Sequence, residues 1–431
     1  MKRFIILFSL GAIVSFYFFP FAFTFLPHSL NTKMILGAIG GTMIAYRCFR
    51  TQRFVCPNDV FGAAVIAVLF SAWCFIVVTY YGTKDDSYYK YFLSFLTWMT
   101  GAYTVCASLR AVHGKVTFKL LTYYLAGVCV AQCILAMMID RIPAFKSLVD
   151  SVVFQGQEFF TEIGRLYGIG AALDPSGIRF GIVLLMIAFL IFKDAEIRLN
   201  KRKIFSLLLA FFIIAVIGNM IARTTSVGMI MGMAYMIYSM HIFRVTIKIG
   251  VLNIGTTLLV VAAAVIFIVV YLYRYDAQVY NLLRFAFEGF FNWVERGEWT
   301  TNSTTKLNTE MWIWPTDLKT WIMGTGWFGF YHFSTDIGYC RFILHCGLVG
   351  FSMFASFFIY NGYVFAKKNY DYRLFFFALI LLGFIIWLKV STDIFLIYAL
   401  FYSMDAIQSP KESDGITAGL AQTKKPPYQN A

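Results

Sequence analysis

Residues 177–219 read GIRFGIVLLMIAFLIFKDAEIRLNKRKIFSLLLAFFIIAVIGN. Two apolar runs flank a short segment, 193–203, that is dense in Lys and Arg. A run of about 20 apolar residues, rising about 1.5 Å per residue, crosses a bilayer core of about 30 Å. The stretch therefore predicts two membrane spans joined by a basic turn. In lipid the backbone must satisfy its own polar groups, so only helices and closed barrels cross. Barrel strands alternate in polarity at every second residue, and these runs do not. The basic turn marks the inner side, because inside loops collect Lys and Arg.

Working outward, similar runs occupy 4–25, 34–46, 61–79, 91–109 and 120–139 before this stretch. After it come a run continuing to 240, then 251–273 and 342–365. The last run, 374–404, is too long for one span; Lys389 to Asp393 mark its outer turn. Arg47, Arg50 and Arg53, then Arg110, Lys115 and Lys119, Arg244 and Lys248, and Lys367 and Lys368 all fall on the side of 193–203. The prediction is an all-α, polytopic transmembrane helical bundle of about twelve spans with both termini inside. Residues 1–407 form a single membrane domain with an outer loop at 140–176 and a large one at 274–341. The polar tail, 408–431, reads as cytoplasmic and disordered.

Composition agrees: 60% of residues are hydrophobic and 13% charged. The formal charge of +14 would suggest nucleic acid in a soluble chain. Here the inside loops account for it, and no nucleic acid partner is expected. Eight Cys are present, without a CxxC pair. Cys129 and Cys133 share a helix face but have no His or carboxylate nearby in sequence. All eight read as small apolar residues, so neither a metal nor another cofactor is expected.

Polar chemistry concentrates in three places. Arg165-Leu-Tyr-Gly168 leads through Gly170, Asp174 and Pro175 to Arg179 at the outer end of a span. The glycines permit close backbone approach, and Pro175 with Asp174 as cap can start a helix. Two arginines at a helix N-terminus suit an anion; an ordinary capped loop with arginines reaching to water is the alternative. Arg223 stands between two apolar runs with Thr224, Thr225 and Ser226 after it. A charge at membrane depth costs about 2.5–3.5 kcal/mol on insertion scales and is paired or functional.

The third place is the outer loop. It holds Arg274, Arg284, Glu288, Glu295, Arg296 and Glu298, with Trp293, Trp299, Trp312, Trp314, Trp321 and Trp327. The indoles form either an interfacial belt or stacking surfaces for sugar rings. Residues 285–294 read as a short surface helix. The loop closes on His332-Phe-Ser-Thr-Asp336-Ile-Gly-Tyr339-Cys-Arg341. Asp336 either caps the following helix or orients and deprotonates a sugar hydroxyl.

Together these stretches resemble the bacterial O-antigen polymerase and O-antigen ligase superfamily of polytopic membrane glycosyltransferases. Arg165-Leu-Tyr-Gly168 through Pro175 is similar to that family's Arg-x-x-Gly-(x)n-Pro outer-loop motif. Arg223-Thr-Thr-Ser226 resembles its short arginine motif between two spans. Gly324-Thr-Gly326, Asp336-Ile-Gly-Tyr339 and Gly347-Leu-Val-Gly350 follow the order of its large loop and the span beyond. The resemblance runs over roughly 165–350. It implies a GT-C-type fold in the bacterial inner membrane, a site facing the periplasm, and no metal. Donor and acceptor would be undecaprenyl-pyrophosphate-linked glycans, in contact with membrane lipids, and a chain-length regulator protein is a candidate partner. The resemblance also implies arginines that bind the donor pyrophosphate; the residues read as catalytic are Arg165, Arg223 and Asp336, with Arg179, Tyr339, Arg341, Arg296 and His332 read as binding substrate. Ligases of the family often carry a His-Asn pair where this chain has Thr335-Asp336, which favours a polymerase of O-antigen or capsular polysaccharide. A ligase moving finished glycan to lipid A-core or protein is the alternative, and a lipid-linked glycan flippase is one of another class.

Overall fold

In the computed structural model the basic segment 193–203 stands between two long helices, and that pattern recurs along the chain. The structure describes residues 2–27, 29–53, 56–162, 164–240, 249–329 and 332–408. The predicted inside residues Arg244 and Lys248, and the tail beyond 408, lie outside the described residues. The first part comprises α1 (Lys2–Phe18), α2 (Thr32–Thr51), α3 (Asn58–Tyr81), α4 (Tyr91–His113) and α5 (Phe118–Arg141). Short helices α6 (Pro143–Val152) and α7 (Gln157–Glu162) cross the first outer loop. Then come α8 (Leu173–Lys193), the single turn α9 (Ala195–Arg198), α10 (Lys201–Ile221), α11 (Thr225–Ser239) and α12 (Ile249–Tyr275). The large loop contains α13 (Ala277–Ala286), α14 (Glu288–Arg296), α15 (Asn302–Glu310) and α16 (Leu318–Met323). The chain returns through α17 (Gly338–Lys368), α18 (Arg373–Ile386) and α19 (Phe395–Gln408).

The fold is all-α and polytopic. Seven helices are long and apolar enough to cross a membrane: α3, α4, α5, α8, α10, α12 and α17. Helices α1, α2, α11, α18 and α19 occupy the other predicted spans but do not meet that standard of length and hydropathy. Helix α8 is the central post, with 89% of its span buried, whereas α12 is peripheral with 11% buried. Apolar burial gives little net drive between helices in lipid, so close contact of small residues matters more. Gly181 of α8 and Gly228 of α11 meet backbone to backbone, where a Cβ on Gly228 would overlap the Gly181 Cα.

Three local outcomes differ from the sequence reading. The first helix stops at Phe18, not near 25, because the chain turns at Pro20 into a strand, β1 (Ala22–Phe23). That strand pairs antiparallel with β2 (Val153–Phe154), placing Ala22 opposite Phe154. The predicted surface helix at 285–294 is instead two helices that break at Phe287. Helix α17 is interrupted at Gly347, whose φ of 65° is left-handed. Its freed carbonyls find donors: Thr325 N–H donates to Leu344 O (2.6 Å), Gly326 N–H to His345 O (2.9 Å), and Trp73 Nε1 to Cys346 O (2.8 Å). A break at that depth is tolerated because the protein meets its hydrogen bonds.

Candidate functional site

Two turns bring the site together. The first, 222–224, joins α10 to α11 in three residues. Thr225 Oγ1 donates to Gly218 O (3.0 Å), Ser226 Oγ to Arg223 O (2.6 Å) and Thr224 Oγ1 to Asp174 O (3.4 Å). The Thr225 and Ser226 hydroxyls thus close the turn on itself and on α10, and Thr224 ties it to the start of α8. Gly177 makes room for it, since a Cβ there would overlap Thr224. The second is the loop 165–172. Gln132 of α5 accepts from Ile169 N–H (2.9 Å), and Gln155 accepts from Gly170 N–H (2.6 Å) while donating to Gly168 O (3.0 Å). Gly170, at φ 71°, lies against the Phe19 carbonyl.

Helix α13 is tied to the end of α5, where Arg141 donates to Asp276 (2.8 Å) and Gln278 to Asp140 (2.6 Å). This places Phe285 between the two turns. The Arg165 guanidinium carbon lies 4.0 Å from the Phe285 ring centroid, and that of Arg223 lies 4.4 Å from the same centroid. The two guanidinium groups are therefore no farther apart than the sum of those distances. Each contact with the ring face is worth about 0.5–1 kcal/mol exposed and about 2 kcal/mol when desolvated.

The charges are unevenly matched. Arg223 pairs with Glu288, both side chains under one-fifth exposed (17% and 19%). Glu288 also accepts from Asn302 N–H (2.9 Å), fixing the start of α15. Asp174 pairs with Lys389 of the α18–α19 turn at 3.1 Å. Arg165 has no ion pair among the described residues. Burial and the nearby Arg223 charge lower its pKa, while Asp174 and Glu288 oppose that shift. Arg165, Arg223 and Lys389 against Asp174 and Glu288 leave a surplus of positive charge. Such a cluster can take an anion with two phosphoryl groups through charge-assisted hydrogen bonds, each worth about 1.5–3 kcal/mol.

The other predicted residues lie elsewhere. Arg179, one helical stretch further into α8, sits 5.8 Å from the Phe19 ring centroid. Arg341 donates to Ser391 Oγ (2.9 Å) and to Phe328 O (2.7 Å), so it braces the segment 324–329. Tyr339 donates to Phe384 O (2.9 Å) from within the α17–α18 packing. Arg296 is exposed at the end of α14, and His332 is exposed and stacked on Trp327 at 5.4 Å. Asp336 is half-buried and has no hydrogen bond or ion pair among the described residues. The start of α17 has Ile337 as its cap position, without a side-chain bond. Thr335 Oγ1 instead accepts from Ile337 N–H (3.3 Å), so Asp336 is not a cap. Asp174 does not cap α8 either, since its carboxylate faces Lys389. Two residues beyond Asp336, Gly338 packs on the backbone of Trp387 and Val390, beside Lys389.

Phe285, Glu288 and Lys389 were not singled out as site residues by the sequence. An arginine at membrane depth calls for a carboxylate, and the outer-loop glutamates were the available candidates; which of them answers is a tertiary fact. The outer-loop indoles form pairs, with exposed Trp314 stacked on half-buried Trp321 at 5.7 Å and the exposed Trp293 and Trp299 at 6.2 Å. Among the described residues no three His, Cys, Asp or Glu side chains gather as a metal site would require. No protein-family model, curated protein or solved structure matches the chain.

Proposed function

We propose that the protein is a polysaccharide polymerase of the bacterial inner membrane, a polytopic glycosyltransferase of O-antigen or capsular type. In this reading it has about twelve spans with both termini cytoplasmic, a GT-C-type architecture, and its site at the periplasmic face. The observation that carries the proposal is the placement of Arg165 and Arg223 on one phenyl ring, from two separate segments, with positive charge in surplus. The acceptor glycan, itself linked to a lipid carrier, presents a sugar hydroxyl. Its oxygen attacks the anomeric carbon of the growing chain. The bond from that carbon to the pyrophosphate oxygen breaks, and its electron pair leaves with undecaprenyl pyrophosphate. Arg165 and Arg223 stabilise the departing charge. Asp336, a carboxylate without a partner among the described residues, takes the hydroxyl proton. The exposed indoles of the outer loop, Trp293, Trp299, Trp312 and Trp314, offer stacking surfaces for the glycan.

The break in α17 is the observation that would favour a lipid-linked glycan carrier, since transporters bind substrates at broken helices. Its carbonyls, however, are already bonded to Thr325, Gly326 and Trp73. The catalytic reading is tested by a glycan ladder assay in a strain lacking the native gene. Arg165→Ala and Arg223→Ala should abolish long chains and leave single-unit glycans, with the protein still in the membrane. Full ladders from both variants overturn the reading. Long chains left on the carrier after gene deletion identify a ligase instead.

A further inference from the structure

A second group of charges lies deeper along the central post. Arg179 of α8 stands between the buried Ile178 and Phe180, yet it is only half-buried and has no hydrogen bond or ion pair among the described residues. An opening between helices therefore reaches the post at this depth. Arg179 follows Asp174 by five residues, about 7.5 Å of helical rise. An ionisable group inside a span is expensive to keep and marks a functional site.

Four other elements build the walls. Gly37 and Gly40 of α2 press on Thr97 and Thr100 of α4, and Thr104 Oγ1 donates across the contact to Leu36 O (2.8 Å). The same packing sets Lys33 Nζ, at the start of α2, 4.4 Å from the Trp98 ring centroid. The Tyr17 hydroxyl of α1 lies 2.8 Å from Leu396 O and 3.3 Å from Trp98 O, tying α1 to α19 and α4. The turn before α19 then presents Asp393, whose carboxylate accepts from Phe395 N–H (3.1 Å). Lys33, Arg179 and Asp393 act on one another electrostatically, but among the described residues no ion pair joins them. Burial pushes the Asp393 pKa up, and the Phe395 amide and the two cations do not cancel the rise.

Three half-buried charges held near one another without touching fit a ligand that bridges them. It must accept from Lys33 and Arg179 and donate to Asp393. A diphosphate only accepts at neutral pH, and Asp393 would repel it. A hydroxyl does both, and a sugar ring carries several. The group also shares α8 and the α18–α19 turn with the arginine cluster, since Asp174 and Lys389 pair at 3.1 Å. The helical rise between Asp174 and Arg179 is about the reach of one sugar ring and its linkage.

We propose that Lys33, Arg179 and Asp393 form a carbohydrate subsite for the sugar joined to the diphosphate, with Asp393 accepting from a hydroxyl and the two cations donating to neighbouring hydroxyl oxygens. The subsite rests on the glycan reading of the arginine cluster, and it selects the first sugar of the repeat unit.

The test uses the full chain in detergent, with retention of lipid measured by native mass spectrometry. The probes are bare undecaprenyl pyrophosphate and the single-unit lipid-linked glycan extracted from the gene-deletion strain. The parent chain should retain the glycan-bearing carrier at least tenfold over the bare one. Asp393→Ala and Lys33→Met should each lose most of that preference while retaining the bare carrier like the parent. Asp393→Asn, which keeps an acceptor, should lose less than Asp393→Ala. Arg165→Ala should weaken both carriers alike. A parent chain without preference, or one whose preference survives in Asp393→Ala and Lys33→Met, overturns the subsite. So does an equal loss of the bare carrier in Lys33→Met, which would mean that the group reads diphosphate. Unfolding midpoints separate lost binding from lost fold; where Asp393→Ala is unstable, Asp393→Asn and Lys33→Met decide. Glycan ladders from a parent chain that shows no preference sink the subsite and leave the polymerase reading. Preference without ladders sinks the polymerase reading and leaves the subsite.

Discussion

Phe285 is the residue on which the two arginines converge, and its role is separable from charge. Replacing it by Ala removes two ring contacts of about 0.5–2 kcal/mol each and frees both guanidinium groups to move. The expected outcome is a rise in donor KM of about tenfold in a reconstituted polymerisation assay, with Phe285→Trp close to the parent. A kinetic profile unchanged in Phe285→Ala would show that the ring does not hold the arginines. Glu288 gives the complementary case. Its loss leaves Arg223 without its carboxylate partner and frees the Asn302 amide, so Glu288→Ala should both destabilise the outer loop and raise the surplus charge. Removing one partner of a buried pair costs about 3–5 kcal/mol, and the partial exposure here sets the expected loss below that range. The change is read as a lower unfolding midpoint of the purified protein. At this scale the sequence marked Arg165 and Arg223, because a charge beside apolar runs is conspicuous. It was silent on Phe285, because one phenyl ring among 47 Phe carries no local mark.

Among the elements, the α8–α11 contact carries the 222–224 turn of the site, and the α17 break holds the segment 322–326. Gly228→Ala places a methyl on the Gly181 backbone, and overpacking of this kind costs about 1–3 kcal/mol. The expected result is a lower unfolding midpoint together with lost activity, since the 222–224 turn rides on that contact. The segment 324–329 depends on Asp85, which is 2% exposed. Its carboxylate accepts from Phe328 N–H (2.7 Å), Gly329 N–H (2.6 Å) and Ser87 N–H (3.0 Å). Burial pushes the Asp85 pKa up, but the bonds from Ser87, Gly329 and Phe328 outweigh it, and the net shift is downward. A carboxylate depressed in the folded state stabilises that state above its unfolded pKa, about 3.9. The stabilisation is lost as pH falls through the folded value. Hydrogen exchange at 328 and 329 should therefore stay slow near neutral pH and quicken only below about pH 4. Asp85→Asn should speed it at neutral pH. Exchange that is fast at neutral pH in the parent chain would refute the anchor. Helix existence was legible from hydrophobic runs, while the break at Gly347 was not. Its cause is the close approach of residues 322–326, more than twenty positions earlier in the chain, which nothing beside Gly347 in the sequence encodes.

Across the whole molecule, the two faces of the bundle differ in chemistry. One carries the arginine cluster and the large loop with its indoles, and the other carries the basic turns with Lys119, Lys203 and Lys368 in ion pairs. The alternation of basic turns along the chain anticipated this division, because the cost of moving charge through lipid constrains every loop at once. The number of crossings was less legible, since short helices such as α18 and α19 depend on neighbours for their burial. Native cysteines make the division testable. Cys56 is exposed in the turn between α2 and α3, on the face opposite Arg296, and Cys74, Cys106, Cys129, Cys133, Cys340 and Cys346 are buried. In intact cells a membrane-impermeant maleimide should leave the parent chain unlabelled and label Arg296→Cys. After the membrane is opened, Cys56 should react in both. The reverse pattern, with Cys56 reacting first in intact cells, would turn the protein over in the membrane. The arginine cluster would then face the cytoplasm, and a periplasmic polymerisation could not use it.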